Sequence, residues 1–322
     1  MKRLLARLRI DSYILLLVGT VILASLLPAR GTGATVAGAA ADVGIVLLFF
    51  LHGARLSRQA VIDGTRHWRL HLTTGLVTFA LFPLLGIAIA ALPFLSPWLR
   101  TGMLFLTLLP STVQSSIAFT AMARGNVAAA VCSASFSNLA GIVLTPVLVA
   151  LLITGQQGGV SGSAALTIVV QLLLPFLAGH LLQPRIGGWV ARRKAMLTFV
   201  DRGSVLLVVY TAFSAAVVEG LWSRVSPRDL ITILLLSSAL LAIVLVLTAL
   251  LGRRLGFVRA DRVVLQFCGS KKSLASGVPM AGVLFPAAQV GAVLLPVMIF
   301  HQLQLMVCAV LAQRYARQDP QP

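Results

Sequence analysis

The chain has 322 residues, of which 58% are hydrophobic and only 11% are charged, and its mean hydropathy is +0.98. A soluble domain cannot bury that fraction of apolar side chains, so the composition excludes a soluble protein and indicates one whose solvent is the lipid bilayer. The net charge of +18 would suit a nucleic-acid-binding protein, but the sequence has no basic patch with interleaved aromatic residues, and we expect no nucleic-acid partner.

Apolar runs of about the length that crosses a bilayer as a helix follow one another along the chain. Lipid leaves no backbone polar group unpaired, and the period-two pattern of a barrel is absent, so we predict an all-α polytopic membrane protein with ten transmembrane helices. The predicted spans cover residues about 13–28, 35–54, 70–92, 99–123, 126–153, 162–183, 203–221, 229–251, 262–285 and 289–312. The first run also fits a signal peptide, but no convincing cleavage site follows it immediately, and we interpret it as a span.

Basic residues gather in alternate connections between the spans. If the N-terminus lies in the cytoplasm, most of the 26 Lys and Arg residues face the cytoplasm as well. This positive-inside distribution explains the high net charge without a polyanionic partner. It predicts a multi-pass protein of the cell membrane with both termini cytoplasmic.

A polar run interrupts the fourth span near residues 110–115. After Pro110 it contains the side chains of Ser111, Thr112, Gln114, Ser115 and Ser116. A proline kink whose hydroxyls bond back to carbonyls is the alternative interpretation. A kink needs fewer polar residues than this, so we predict that the run lines a binding site. On the fifth span, Ser135 and Asn138 are expected to face it.

The ninth span is interrupted near residues 269–273, where Gly269 precedes Ser270, Lys271, Lys272 and Ser273. Each lysine at bilayer depth costs about 3 kcal/mol on insertion scales, so a chain that keeps two of them is expected to use them. Snorkelling to the headgroups could account for one lysine but not for the pair. A buried ammonium can attract an anionic substrate, can fill a site that a metal cation occupies in a relative, or can permit proton coupling by releasing a proton.

The acidic residues are absent from the places where a cation site would need them. None of the eight Asp and Glu residues lies at the middle of a span. We therefore predict no metal site and no cofactor, with sodium possible but disfavoured. The sequence also lacks a nucleophile with a base and an orienting partner, which indicates that the protein is not an enzyme.

The two halves of the chain resemble each other. The tripeptide that begins at Ser116 is similar to the one that begins at Ser273, about half a chain length later, and an uncharged flexible link at residues 154–159 lies near the midpoint. Two broken helices at matching places in two halves are the best sequence indication of a transporter's binding site. We predict one transmembrane transporter domain over residues 1–322 with inverted repeats at about 10–153 and 162–313.

Three stretches carry a resemblance to a known family. The stretch Ala123 to Ala128, followed by Leu144-Thr145-Pro146, resembles the core motif of the bile acid:sodium symporter superfamily. Pro110 to Ala130 and Phe267 to Pro279 resemble more narrowly its bacterial sodium-symporter-like (SBF-like) branch. The resemblance implies a bacterial inner-membrane protein with a core domain and a panel domain, helices 4 and 9 that cross at their breaks, and alternating access.

The resemblance also implies where sodium would bind in this family. Two hydroxyl ligands on helix 5 of sodium-coupled members correspond to Ala130 and Ala134 in this chain, a glutamate falls near Phe267, and a glutamine falls near Lys271. Only the serines of the span 4 break match in kind. A cation site without its carboxylate and two hydroxyls is expected to bind sodium poorly.

We therefore predict a secondary active transporter that moves a small amphipathic organic anion by alternating access and binds it at the crossing of the two breaks. The alternative is a membrane regulator or scaffold that affects ion homeostasis without transport. The sequence leaves open the substrate, the coupling ion, the direction of transport, and whether the protein is a monomer or a homo-oligomer.

Overall fold

The computed structural model of the chain describes residues 12–55, 67–154 and 162–318. Every regular element within those ranges is a helix, and none of the residues in them forms a strand. Helices satisfy their own backbone hydrogen bonds, which an apolar chain in lipid requires. The predicted all-α class is thus confirmed. Residues 155–159 of the predicted link at 154–159 lie outside the described residues, as do the basic residues within 1–11 and 56–66.

Helices before residue 155 follow the predicted spans closely. They are α1 (Ser12–Leu26), α2 (Gly31–Arg55), α3 (Trp68–Ala90), α4 (Pro97–Leu108), α5 (Gln114–Met122) and α6 (Val127–Val149). A π turn, Val77–Leu81, lies inside α3, and a second one, Ala150–Thr154, extends α6.

Helices after residue 161 also follow the predicted spans. They are α7 (Gly162–Arg192), α8 (Lys194–Val218), the single turn α9 (Leu221–Arg224), α10 (Pro227–Arg254), α11 (Arg259–Gly269), α12 (Leu274–Leu284) and α13 (Ala287–Arg317). Every predicted span overlaps one of these helices, except that spans 4 and 9 each correspond to a pair of shorter helices.

Six of the described helices, α2, α3, α6, α8, α10 and α13, are long and apolar enough to cross a membrane by length and composition. The chain is therefore a multi-pass membrane protein. The other predicted spans correspond to α1, to α7 and to the two pairs of shorter helices. The total of ten crossings and the inverted repeat stay predictions.

Both predicted helix breaks are present. The first occupies residues 109–113 between α4 and α5, and the second occupies residues 270–273 between α11 and α12. A proline disfavours the helical conformation of the residue before it. Leu109, which precedes Pro110, is accordingly extended, with φ −73° and ψ 153°, and α4 ends there.

The described residues belong to two compact units. The first unit combines the described residues that lie within 1–57, 146–229 and 275–295. In it α2 packs against α7 and α8, and Arg55 forms an ion pair with Asp201. The hydroxyl of Tyr210 also donates to the carbonyl of Leu27 at 2.9 Å.

The second unit combines the described residues that lie within 58–145, 230–274 and 296–322. Its core includes the buried rings of Phe82 and Phe300, which meet edge to face at 6.2 Å. The amide of Asn126, which precedes α6, donates to the Asp261 carboxylate in the first turn of α11 at 3.0 Å. Both breaks fall inside this unit, so its packing positions the site described below.

Close packing of α2 on α7 in the first unit depends on two glycines. A Cβ at Gly53 would overlap the carbonyl oxygen of Phe176, and a Cβ at Gly179 would overlap that of Phe50. In lipid, small residues allow helices to approach and gain dispersion contacts, since no hydrophobic force drives them together.

We expect Gly53→Ala to lower the free energy of unfolding by about 1–3 kcal/mol, because a main-chain oxygen cannot move aside easily. Thermal unfolding of the detergent-solubilised protein measures this change. The matched control is Gly203→Ala on α8, where a Cβ would meet nothing within 4 Å. It is expected to stabilise the helix by about 0.5–1 kcal/mol. Equal effects of the two substitutions would contradict the prediction.

Candidate functional site

The two breaks lie against each other within the second unit, and the place where they meet is named the crossing. The backbone N–H of Ser273 donates to the carbonyl of Pro110 at 2.8 Å, and the hydroxyl of Thr112 donates to the carbonyl of Lys272 at 3.0 Å. The predicted approach of the breaks to each other is confirmed. Non-helical backbone at membrane depth is tolerated only where its polar groups find partners, so the partners of these two segments determine the site.

Serine hydroxyls satisfy the carbonyls at the end of α11. The last four carbonyls of a helix have no partner within the helix. Three of them accept a hydrogen bond as follows: Gln266 from Ser270 at 2.5 Å, Phe267 from Ser116 at 3.0 Å, and Cys268 from Ser111 at 2.5 Å. Ser111 and Ser116 come from the other break. A hydroxyl has one hydrogen to donate, so these serines are committed to joining the breaks.

The carbonyls exposed at the end of α4 find partners on other helices. The hydroxyl of Thr145 donates to the carbonyl of Leu108 at 2.7 Å. The side-chain amide of Asn138 donates to the carbonyl of Ser111 at 2.8 Å, and the Ser111 N–H donates to the Ser137 hydroxyl at 2.9 Å. Helix α6 thereby holds the first break in place.

Lys272 is fully buried, and its ammonium donates to three main-chain carbonyls. These are the carbonyls of Thr107 and Thr78, each at 2.8 Å, and of Leu109 at 2.7 Å. The ring of Phe82 lies 4.1 Å from the nitrogen. All three ammonium protons have acceptors, so Lys272 is a structural residue of the crossing.

The carbonyl of Thr78 is available for a local reason. In the π turn of α3, the N–H of Phe82 donates to Val77. In the same register Thr78 would accept from residue 83, which is Pro83 and has no N–H. Neighbouring side chains commonly satisfy backbone groups that a proline frees in a transmembrane helix, and here Lys272 does so.

Gln304 on α13 completes the second break. Its side-chain oxygen accepts from the N–H of Lys272 and its nitrogen donates to the carbonyl of the same residue, both at 2.8 Å. Its nitrogen also lies 2.9 Å from Nδ1 of His301. Gln304 is not among the predicted site residues. The sequence signal that could have indicated it is a glutamine inside an apolar span, and the structure shows that it is fully buried.

Lys271 has a different environment. It is fully buried, but its ammonium has one hydrogen-bond partner, the hydroxyl of Ser115 at 3.4 Å. It also lies over the ring faces of Phe119, at 4.3 Å, and Phe267, at 5.6 Å. Among the residues that the structure describes, no carboxylate lies within ion-pair distance of it, since the ion pairs found there are Arg55–Asp201 and His67–Asp261.

The start of α5 lies beside Lys271. Val113, at the N-cap position of α5, makes no side-chain capping hydrogen bond. The first N–H groups of a helix lack acceptors within the helix and carry a partial positive charge. The ammonium and the helix terminus together form a positive region with few acceptors.

The remaining predicted residues differ in accessibility. Gln114, the first residue of α5, is exposed, and Ser115 is half-buried. Ser135 on α6 is also half-buried, and Ser137 rather than Ser135 contacts the first break. The predicted set thus separates into residues that join the breaks and residues with polar groups still available. The latter are Gln114, Ser115, Ser135 and Lys271.

Donor groups for a bound metal ion are sparse at the crossing. Hard cations take oxygen ligands, usually including carboxylates. No group of three or more His, Cys, Asp or Glu residues occurs in the part of the chain that the structure describes. Positions 130 and 134 are fully buried alanines without side-chain oxygen. At these two positions the chain offers no side-chain ligand for a cation.

Long apolar helices and two broken helices joined at their breaks define a membrane transport protein. The chain belongs to the SBF-like CPA transporter family (DUF4137), whose family model matches residues 11–317. This membership confirms the resemblance to the bile acid:sodium symporter superfamily that the motifs indicated.

Relatives with similar sequences span almost the whole chain. "Uncharacterized protein PA2026" of Pseudomonas aeruginosa is 57% identical over 311 residues, which are 95% of this chain and 93% of the relative. "Putative symporter YfeH" of Escherichia coli K12 is 52% identical over 314 residues, or 97% and 95% of the two chains. The mouse "Sodium/bile acid cotransporter 7" is 28% identical over 276 residues, or 84% and 81%.

Proposed function

We propose that the protein is a secondary active transporter of a small amphipathic organic anion. The observation that carries the proposal is the Lys271 ammonium, which is buried without a carboxylate partner among the described residues and lies beside the uncapped start of α5. A buried cation without a counter-ion is costly, and an anionic substrate would supply that counter-ion.

The proposed ligand contacts follow from the groups that remain available. Lys271, Ser115 and the first N–H groups of α5 would bind the anionic group, and Gln114 and Ser135 would add hydrogen bonds. The rings of Phe119 and Phe267 would contact an apolar body. The other predicted residues, Ser111, Thr112, Ser116, Asn138, Ser270, Lys272 and Ser273, would hold the breaks in position.

We propose ten transmembrane helices in two inverted repeats, with both termini in the cytoplasm of a bacterial inner membrane. The helix bounds support the ten spans, and the breaks at corresponding places support the repeats. The boundaries of the compact units at Pro146 and Pro296, one in each half, support a division into a core and a panel domain that move during alternating access.

A ligand screen on the purified protein tests this function. Thermal unfolding is measured with a panel of carboxylates of increasing apolar size, a bile acid included, and with the amine and the neutral amide that share each carbon skeleton. We expect the carboxylates to stabilise the protein and their amide and amine counterparts not to do so. A preference for amines would overturn the proposal. Uptake of the best carboxylate into proteoliposomes then separates a carrier from the alternative regulator or scaffold, which would bind without transport.

The second prediction concerns coupling of transport to sodium. We expect sodium to change neither the stability of the protein nor the binding of the carboxylate, because Ala130 and Ala134 offer no side-chain ligands. The described residues also contain no group of three or more His, Cys, Asp or Glu that could hold a metal ion. The double variant Ala130→Ser, Ala134→Thr should likewise show no effect of sodium on stability or carboxylate binding while Lys271 and Lys272 remain. Carboxylate binding is measured in sodium and in choline chloride at equal ionic strength. A saturable effect of sodium on the wild-type protein would contradict the prediction.

A further inference from the structure

The contacts of the Lys272 ammonium resemble the coordination of a bound ion. Its nitrogen lies 2.7–2.8 Å from the carbonyl oxygens of Thr78, Thr107 and Leu109. We infer that these three oxygens, the carbonyl cage, form a site for a monovalent cation of ammonium size, and that the chain fills this site with its own lysine. The inference rests on these contacts and not on the proposed substrate.

The carbonyl cage exists for reasons independent of Lys272. The carbonyl of Thr78 is freed by Pro83 in the π turn of α3. The carbonyls of Thr107 and Leu109 are freed because α4 ends at Leu108. Each of the three acceptors is therefore freed by a feature outside position 272, and burial denies them bulk water.

The electrostatics of the cage select a cation. The last carbonyls of α4 carry the partial negative charge of a helix C-terminus. The ring face of Phe82 lies 4.1 Å from the nitrogen and that of Phe79 lies 5.9 Å from it, and aromatic faces attract cations. Rings of main-chain carbonyls bind dehydrated K⁺ in channel filters in the same way.

Filling the cage with a tethered ammonium has a consequence for the protein. A free ion must be captured from solution and can dissociate, whereas the lysine is always present. The crossing of the breaks in the wild-type chain therefore needs no dissolved monovalent cation at this point. The variant Lys272→Ala would expose the cage and make it dependent on such an ion.

Thermal unfolding of the full-length protein in detergent tests the inference, with choline, sodium, potassium or ammonium chloride at equal ionic strength. We expect the Tm of Lys272→Ala in choline chloride to fall by about 5–10 °C, because three buried carbonyls lose their donor. Ammonium or potassium should then raise it saturably by about 3 °C or more. The Tm of the wild-type protein should be the same in all four salts.

Two variants serve as controls. Lys271→Ala removes the neighbouring buried ammonium, which does not contact the cage, and should show no dependence on the cation. Lys272→Met fills the cage with an apolar chain and should lower the Tm in every salt alike. The inference is overturned if Lys272→Ala responds to the cation no more than Lys271→Ala does, or if the wild-type protein responds equally.

Recovery of folded protein is the second readout, should Lys272→Ala unfold during extraction in choline chloride. Its yield of monodisperse protein is then compared between extraction in ammonium chloride and extraction in choline chloride. A higher yield in ammonium supports the cage, and equal yields overturn it.

Discussion

Lys271→Met is expected to raise the Kd of the best carboxylate from the ligand panel about 100-fold, because a buried charge-assisted contact contributes about 3 kcal/mol to binding. Methionine keeps most of the side-chain volume while removing the charge. Isothermal titration of the purified variant measures the change. Gln114→Ala, at the exposed start of α5, should weaken binding less, by about 5–10-fold, since it removes a neutral hydrogen bond.

The thermal stability of Lys271→Met distinguishes a loss of ligand affinity from a loss of folded structure. The Lys271 ammonium has one hydrogen-bond partner, at 3.4 Å, and no carboxylate within ion-pair distance among the described residues. Removing it should leave the Tm unchanged or higher, because the desolvated charge is removed with it. Lys271→Arg is the matched control and should retain much of the affinity, since it keeps the charge. Normal binding by Lys271→Met would contradict the role proposed for this residue.

The double variant Ser111→Ala, Ser116→Ala is expected to lower the free energy of unfolding by about 2–6 kcal/mol. Each hydroxyl donates across the crossing to a carbonyl near the end of α11, those of Cys268 and Phe267. Each buried carbonyl left without a donor costs about 1–3 kcal/mol. Chemical or thermal unfolding in detergent measures the loss.

Two single variants show whether the loss comes from the broken helices or from buried hydroxyls in general. Thr74→Val removes a hydroxyl that donates to Leu70 four residues earlier in the same helix, where the helical N–H already serves the carbonyl. Thr112→Val leaves Gln304 as a donor to the carbonyl of Lys272. Both should cost under about 1 kcal/mol. A loss as large as that of the double variant would show that the hydroxyls joining the breaks stabilise the protein no more than other buried hydroxyls do.

Much of the fold could be predicted from the sequence because its causes are local. Lipid requires helices wherever an apolar run is long enough, so the lengths of the runs determine the helix positions. Pro110 makes Leu109 extended, and the polar runs on both sides of the chain's midpoint mark where helices end. The family motifs lie in these same stretches, and the match over residues 11–317 confirms the family that they indicated.

The members of the candidate site could be predicted from the sequence, but their separate roles could not. The sequence placed seven of its residues in the span 4 break and on its neighbour α6 without indicating which of their polar groups already had partners. A helix turns about 100° per residue, so Ser135 and Ser137 point in different directions, and Ser137 meets the break. Gln304 lies more than thirty residues from Lys272 along the chain, and nothing local connects the two.

The two lysines show most clearly what the tertiary structure decided. Lys271 and Lys272 are chemically identical and adjacent, and each is costly in lipid, so the sequence by itself determined that this segment is special. Their different roles depend on what surrounds them. The π turn of α3 and the end of α4 bring three freed carbonyls to Lys272, while α5 brings one hydroxyl and an aromatic ring to Lys271. A buried charge takes its role from the partners that packing supplies, and those partners come from helices far away in the chain.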